Sequence, residues 1–156
     1  MVIGVDVHKG SHTAALLDER GALIETVEVE NSAAGAERLR VWLDAHGALG
    51  AVVGVENAAG YGRLLCAALA GSGFEVVNVP AWRTKRDRHA HGPGKSEAGD
   101  AIAIAEVVLR RRHELGDALE PALVRAFSLL AGSLRVFLCI GGWLGVVGDA
   151  VSEVDA

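Results

Sequence analysis

The sequence is poor in residues that would crosslink it, anchor it in a membrane or give it a strong charge of one sign. Its two cysteines, Cys66 and Cys139, have no metal-ligand spacing and form no disulfide framework, which favours a reducing compartment. The longest uncharged run, residues 136–148, is broken by glycine and is shorter than the roughly 20 residues that span a bilayer. A net charge of −5 argues against a protein that coats nucleic acid by charge alone.

What is present is the composition of a globular protein. The 156 residues are 51% hydrophobic and 22% charged, which suits one domain with a buried core and is too short for two domains of ordinary size. The chain reaches Asp6 before any apolar run long enough for a secretory signal peptide. The sequence therefore predicts a soluble, cytoplasmic chain that does not enter a membrane.

Hydrophobic alternation, helix caps and glycine turns predict the element order β-β-β-α-β-α-β-loop-α. Gly21 supplies the positive φ angle of an expected hairpin turn, and Ser32 and Ser96 are typical helix N-caps. The expected strands are residues 2–7, 12–17, 22–29, 51–55 and 75–79, the expected helices are 33–45, 61–70 and 96–112, and residues 81–95 are expected to form a polar loop.

This order predicts an α/β fold, a mixed five-stranded sheet with helices on both faces. The first and fourth strands are expected to be neighbours in that sheet. The order is that of the ribonuclease H-like superfamily. The same opening occurs in actin-like and sugar-kinase ATPases, so topology alone leaves both classes open.

Acidic residues stand at unusual positions in these elements. Asp6 lies inside an apolar strand and Glu56 ends another, where an aliphatic residue would be ordinary. Glu97 and Asp100 are three residues apart and hence share one face of a helix. Neighbouring carboxylates repel unless they share a proton or a cation, so four converging acids favour Mg²⁺ or Mn²⁺. Two such ions about 4 Å apart activate water and stabilise the leaving oxygen in phosphodiester cleavage.

Each of these acids also has an ordinary structural interpretation. Glu97 falls in the first turn of its helix, where the helix dipole favours an acid without any metal. Asp6 could be a turn or cap residue at a strand end, and Glu56 with Asn57 could be a plain entry into a loop. The metal hypothesis therefore depends on the four acids together.

Three segments carry a family resemblance, namely residues 3–9 (IGVDVHK), 53–62 (VGVENAAGYG) and 94–101 (GKSEAGDA). In order and spacing they resemble the motifs of the DEDD transposases of the IS110 insertion-sequence type. Asn78-Val79-Pro80 leading into a basic segment is similar as well, so the resemblance covers about residues 2–126.

The resemblance implies a RuvC-like domain of the ribonuclease H-like fold and a set of functional residues. Asp6, Glu56 and Asp100 fall on the family's metal-binding acids. Glu97 stands where the family normally has Asp, and its extra methylene displaces the carboxylate by about one C–C bond. The resemblance further implies DNA as the partner, both element ends and target, together with a guide RNA transcribed from the element. Full-length members of the family are expected to form homo-oligomers.

Basic residues cluster between the fifth strand and the last helix, on an otherwise acidic chain. Such a patch beside a metal site suits a phosphate backbone, and a solvated charged loop is the alternative. Trp82 is either a base-stacking residue or part of the core. The residues expected to contact nucleic acid are Lys9, Arg83, Lys85, Arg86, Arg88 and Lys95.

The chain changes character near residue 127, after which an apolar, glycine-rich stretch shows no clear period. The family continues into a second domain with a catalytic serine, and Ser128, Ser133 and Ser152 lack its motif. The sequence therefore predicts a RuvC-like domain at residues 1–126 and a weakly specified tail at 127–156, the product of a truncation or frameshift.

Three functions remain open at this point. The leading one is a DNA transposase domain with metal-dependent phosphodiester chemistry. The second is a non-catalytic remnant that binds nucleic acid or another subunit. The third, an actin-like or sugar-kinase ATPase, is disfavoured because Val7, His8 and Lys9 are bulky where its phosphate loop needs small residues.

Overall fold

A computed structural model describes residues 1–87 and 96–118 of the chain. Five strands and three helices follow one another in the order that the sequence predicts, and a fourth helix, α3, is additional. They are β1 (Val2–Val7), β2 (Ser11–Leu17), β3 (Leu23–Glu30), α1 (Ala33–Ala45), β4 (Val52–Glu56), α2 (Arg63–Gly71), β5 (Glu75–Val79), α3 (Ala81–Asp87) and α4 (Glu97–Arg111), and a 3₁₀ turn (Arg112–Glu114) follows α4.

The strands form one mixed sheet in the order β3-β2-β1-β4-β5. β1, β2 and β3 are antiparallel neighbours, whereas β4 and β5 run parallel to β1. The expected mixed five-stranded sheet, with its first and fourth strands adjacent, is therefore confirmed. The carboxyl ends of β1, β4 and β5 lie at the same edge because these strands are parallel.

Helices cover both faces of the sheet, as the sequence predicts. The α1/α2 face carries large apolar side chains such as Ile3, Val5 and Leu16, which pack against Leu39 of α1 and Leu65 of α2. The α4 face is covered by α4, whose Ile104, Ala105, Val107 and Val108 pack against Val2, Leu17, Val77 and Val79. Two separate apolar cores, one on each face, result from this arrangement.

Local sequence determines where the helices and the hairpin turn begin. The hydroxyls of Ser32 and Ser96 each accept a hydrogen bond from the backbone N–H three residues ahead, at 3.0 Å, so both predicted N-caps are confirmed. Gly21 has a φ angle of 86°, and Asp18 beside it accepts two backbone N–H groups at 2.8 Å. These hydrogen bonds hold the pKa of Asp18 below its usual value, with that from Ala22 contributing most.

The segment after β5 departs from the prediction. Residues 81–95 were expected to form a polar loop, but residues 81–87 form the helix α3. Its first turn is closed by the N–H of Arg83, which donates to the carbonyl of Pro80 at 2.9 Å. The alternative in which Trp82 belongs to the core is wrong, because this side chain is 63% exposed. Residues 88–95, and the predicted tail at 127–156, lie outside the described residues.

Within residues 1–87 and 96–118, no helix is both long enough and apolar enough to cross a membrane.

Candidate metal centre

Asp6 projects from β1 onto the α4 face of the sheet, two residues beyond Gly4 on the same side of the strand. It is only 9% exposed, which is unusual for an aspartate. Nδ1 of His8 lies 3.8 Å from one of its carboxylate oxygens, an ion pair only when the histidine is protonated. A carboxylate buried to this degree needs polar or charged partners.

Glu56 ends β4 on the same face and at the same edge. The parallel register pairs Val5 with Val55, and one residue further along it sets Glu56 beside Asp6. The structure thus brings the first two predicted acids together on adjacent strands. One oxygen of Glu56, Oε2, accepts a hydrogen bond of 2.7 Å from the hydroxyl of Thr84 on α3.

Glu97 and Asp100 occupy the first turn of α4, and the N–H of Asp100 donates to the carbonyl of Ser96. Glu97 is exposed and Asp100 is half-buried. The hydroxyl of Thr13 lies 3.5 Å from Oε2 of Glu97, at the long limit of a hydrogen bond. Thr13 is the register partner of Asp6 across β1 and β2, so this contact brings the start of α4 to the strand beside Asp6.

Two glycines explain how α4 comes so close to the sheet. A Cβ atom on Gly4 would lie 2.2 Å from the carbonyl oxygen of Ala101 and 2.3 Å from the backbone nitrogen of Ala105. On β4, a Cβ atom on Gly54 would lie 2.2 Å from a methyl group of Val108. The backbone of α4 therefore rests directly on β1, and the side chain of Val108 occupies the space over Gly54 on β4. The first turn of α4 is carried to the edge that holds Asp6 and Glu56.

The elements that carry the four acids meet at one edge, but the carboxylates themselves are not gathered around one point. Among residues 1–87 and 96–118, no three His, Cys, Asp or Glu side chains are gathered closely enough to hold a metal ion as they stand. The structure brings Asp6 and Glu56 into adjacent positions, and it brings Glu97 to Thr13 rather than to either acid. The elements that carry the four carboxylates meet at one edge of the sheet, and the described side chains do not form a common ligand shell.

A cleft opens at this edge beyond β4 and β5. Its volume is about 460 Å³, and it is lined by the four residues from Glu56 to Ala59 and the four from Asn78 to Ala81. Asn57 adopts a left-handed backbone conformation, with a φ angle of 58°, at the point where the chain turns away from β4. In α/β sheets, ligands bind beyond the carboxyl ends of parallel strands, which is where this cleft lies.

The basic residues fall into four groups. Lys9 is exposed in the turn between β1 and β2, near the same edge. Arg83 is engaged within the protein, because its guanidinium donates to Glu114 at 2.6 Å and lies 4.8 Å from the ring centre of the exposed Trp82. Lys85 and Arg86 belong to α3, and Arg88 and Lys95 lie outside the described residues.

Cys66, the cysteine within the described residues, is buried on α2. Burial raises the pKa of its thiol to about 12, so it is neither a reactive nucleophile nor a ready metal ligand.

The sequence did not single out Thr84. It is fully buried and donates to a predicted metal-binding acid, yet it stands in a run of basic residues that predicts a loop. A threonine in such a run carries no local signal, because its partner lies on another element.

The fold defines a class, the RuvC-like proteins of the ribonuclease H-like fold. The RuvC protein of T. thermophilus, solved in complex with a Holliday junction substrate, matches with a TM-score of 0.53 at 17% sequence identity. The match covers 75% of this chain and 99% of RuvC. The RuvC-like, ribonuclease H-like fold expected from the sequence is thereby confirmed.

The sequence itself defines the family. The family model of the IS110 DEDD transposases, described as a transposase, matches residues 3–135. The mini-circle putative transposase for IS117 of Streptomyces coelicolor (strain ATCC BAA-471 / A3(2) / M145) is 31% identical over 115 residues, which are 70% of this chain and 27% of the relative. The chain belongs to the IS110 family of DEDD transposases. It spans about a quarter of the length of this curated relative.

Proposed function

We propose that this chain provides the metal-binding part of an insertion-sequence transposase and takes part in phosphodiester chemistry on DNA. The observation that carries the proposal is the adjacency of Asp6 and Glu56 on neighbouring parallel strands, with the first turn of α4 packed against the same edge. Membership of a transposase family supports this function over the actin-like ATPase that strand order alone left open.

The four acids fit a divalent metal by donor type, and the elements that carry them meet at one edge of the sheet. Asp6, Glu56, Glu97 and Asp100 offer only carboxylate oxygens, the hard donors that Mg²⁺ and Mn²⁺ prefer. Two carboxylates in adjacent register repel each other, and a shared cation relieves that repulsion. When bound, such ions activate water and stabilise the leaving oxygen of a phosphodiester. The protein's own part is to hold the acids at one edge and to rotate them inward.

DNA is the proposed substrate, and the exposed face of this edge is the proposed contact. Lys9 follows β1 three residues after Asp6, and Lys85 and Arg86 belong to α3, the helix whose Thr84 contacts Glu56. Arg88 and Lys95 complete the proposed set from outside the described residues. We assign Arg83 a positioning role as well as a contact role, because its pair with Glu114 fixes α3 to the 3₁₀ turn. Element ends and target DNA are the expected substrates, with a guide RNA as a further partner and the cytoplasm as the compartment.

A second candidate function is a nucleic-acid-binding domain without metal chemistry. It is favoured by the absence of any three-ligand cluster among the described residues, and by Glu97, which contacts Thr13 instead of another acid. The two candidates make the same prediction for DNA binding and opposite predictions for metal-dependent cleavage.

The experiment measures binding and cleavage of branched and duplex DNA by the chain. We expect Arg86→Ala with Arg88→Ala to weaken binding and to reduce the slope of log affinity against log salt by about 2, because two phosphate contacts are lost. Arg20→Ala with Arg38→Ala removes the same charge from exposed sites away from the edge and serves as the control. An unchanged slope in the first variant removes the assigned nucleic-acid role of α3 and the segment after it.

Cleavage then separates the two candidates. Strand cleavage that requires Mn²⁺ and is lost in Asp6→Asn supports the metal-dependent function. DNA binding that is insensitive to Mn²⁺ and to Asp6→Asn, with no cleavage, supports the binding domain instead.

A further inference from the structure

Thr84 is the most deeply buried polar side chain among the described residues, with none of its surface exposed. It lies in the middle of α3, a short helix that contains three basic residues. A buried hydroxyl without a partner costs about 1–3 kcal/mol, so the residues around Thr84 have to satisfy it. The identity of those partners shows what this hydroxyl does.

Two acceptors lie within reach of the Thr84 hydroxyl. Oε2 of Glu56 is 2.7 Å away and the carbonyl oxygen of Ala81 is 2.9 Å away. A hydroxyl has a single proton, and neither an ionised carboxylate nor a carbonyl can donate one, so the two acceptors compete for it. The bond to the carboxylate is the shorter one and is charge-assisted, which makes it the stronger of the two.

The carbonyl of Ala81 alone would satisfy Thr84 as a structural residue. Threonines inside helices commonly donate to the carbonyl three or four residues back, and Ser72 does the same to Ala68 at 2.9 Å. What distinguishes Thr84 is the second contact, which crosses from α3 to the end of β4 and reaches an acid of the candidate metal centre.

We infer that Thr84 is a positioning residue that holds the Glu56 carboxylate in the orientation required for divalent-metal binding. The inference rests on the proposed function, because it assigns a role at the same site. The hydroxyl fixes Oε2 and restricts the rotation of a side chain that would otherwise sample several rotamers at a strand end. Groups that orient a metal ligand in this way usually alter metal affinity by about 10–100-fold when they are removed.

The same contact couples the metal centre to the basic segment. α3 is held at one point by Thr84 on Glu56 and at a second by Arg83 on Glu114. A displacement of α3 would therefore move the hydroxyl relative to the carboxylate. The position of Glu56 is in this way linked to the helix that leads toward the segment proposed to contact nucleic acid.

The test is a calorimetric titration of the chain with Mn²⁺ alone. The variants distinguish loss of the Thr84 hydroxyl from a change in side-chain size and from a loss of folding. We expect Thr84→Val to weaken Mn²⁺ affinity about tenfold, while Thr84→Ser, which keeps the hydroxyl, stays within about twofold of the parent chain. Ser72→Ala removes a comparable hydroxyl–carbonyl bond at the end of α2 and should leave the affinity unchanged.

The arms of this titration distinguish the possible failures. Glu56→Gln establishes whether Glu56 is a ligand at all. A parent chain that does not bind Mn²⁺, or a Glu56→Gln variant that binds it as tightly as the parent chain, overturns the proposed function and this inference together. Parent-like affinity in a folded Thr84→Val chain, with Glu56→Gln impaired, overturns the inference alone. If Thr84→Val does not fold, Thr84→Ser decides, because affinity as weak as that of Glu56→Gln in this folded variant contradicts a role for the hydroxyl.

Discussion

The two faces of the sheet are built from different residues and do different things. The α1/α2 face presents large aliphatic side chains, among them Ile3, Leu16 and Val53, which interlock with the leucines of two helices. At the centre of the α4 face, Gly4 lies against the small residues Ala101 and Ala105 of α4, and Gly54 lies under Val108. Both faces bury an apolar core, but on the α4 face small residues meet backbone to backbone where Gly4 faces α4.

The contrast shows that glycines on the α4 face replace side-chain packing with a close approach between α4 and the sheet. Two strand glycines weaken local β-structure, because glycine has no side chain to pack and loses more entropy on folding. In exchange, the backbone of α4 rests on the sheet and its first turn reaches the edge where Asp6 and Glu56 lie side by side. Substitutions on the two faces should therefore have effects of different kinds.

The largest loss of stability is expected on the α1/α2 face. Leu39 of α1 is fully buried, and Leu39→Ala removes apolar contacts and leaves a cavity. We expect a loss of about 3 kcal/mol in the free energy of unfolding, measured by urea denaturation. Mn²⁺ affinity of the folded variant should stay at the parent value, since α1 packs mainly against α2 and β3. A loss of affinity would show that the two faces are coupled.

A smaller loss of stability with a larger functional effect is expected at Gly4. The Cβ atom of Gly4→Ala would overlap backbone atoms of Ala101 and Ala105, so α4 must move away from the sheet. We expect a loss of about 2 kcal/mol in urea denaturation, together with weaker Mn²⁺ binding because Glu97 and Asp100 move with the helix. Gly10→Ala is the matched control, since its Cβ atom would meet nothing within 4 Å. Parent-like Mn²⁺ affinity in Gly4→Ala would mean that the position of α4 does not govern the site.

The smallest effect is expected at His12, the polar exception on the α1/α2 face. His12 is 2% exposed, its two ring nitrogens make no hydrogen bond of normal geometry, and burial lowers its pKa. The pKa of His12 in the folded chain lies below the unfolded value near 6.5. The contribution of neutral His12 to stability is therefore fully present above pH 6.5 and is lost as the pH falls below 6.5 toward the folded pKa.

The pH dependence of the melting temperature tests this account of His12. Between pH 7 and pH 5.5, the parent chain should lose more thermal stability than His12→Leu, which has no group to protonate. His113→Gln is the control, because the side chain of His113 is 80% exposed. Equal pH dependence in His12→Leu and the parent chain would contradict the assignment.

Much of the fold was predictable because its signals are local. β1 and β5 have the bounds that the sequence predicts, residues 2–7 and 75–79. The two serine caps mark the starts of α1 and α4. The adjacency of Asp6 and Glu56 followed from strand order, since a register between parallel strands carries both acids to one edge.

The remainder depends on tertiary contacts that leave no local signal. α3 has no apolar period, and it is held by Arg83 on Glu114 and by Thr84 on Glu56, pairs separated by 31 and 28 residues. The contact between Thr13 and Glu97 spans 84 residues. The assignment of the four acids to a metal stays a prediction, because the described structure fixes their elements and not their ligand shell.

The melting temperature, measured at increasing Mn²⁺ concentrations, tests most directly whether a metal centre lies at this edge of the sheet. At about 100 times the dissociation constant, binding to the folded chain alone adds about 2.7 kcal/mol, so the melting temperature of the parent chain should rise by several degrees. Asp6→Asn should abolish the rise, whereas Glu19→Gln, an equal charge change at the exposed turn between β2 and β3, should preserve it. No rise in the parent chain, or an equal rise in Asp6→Asn, would contradict a metal centre at this edge of the sheet.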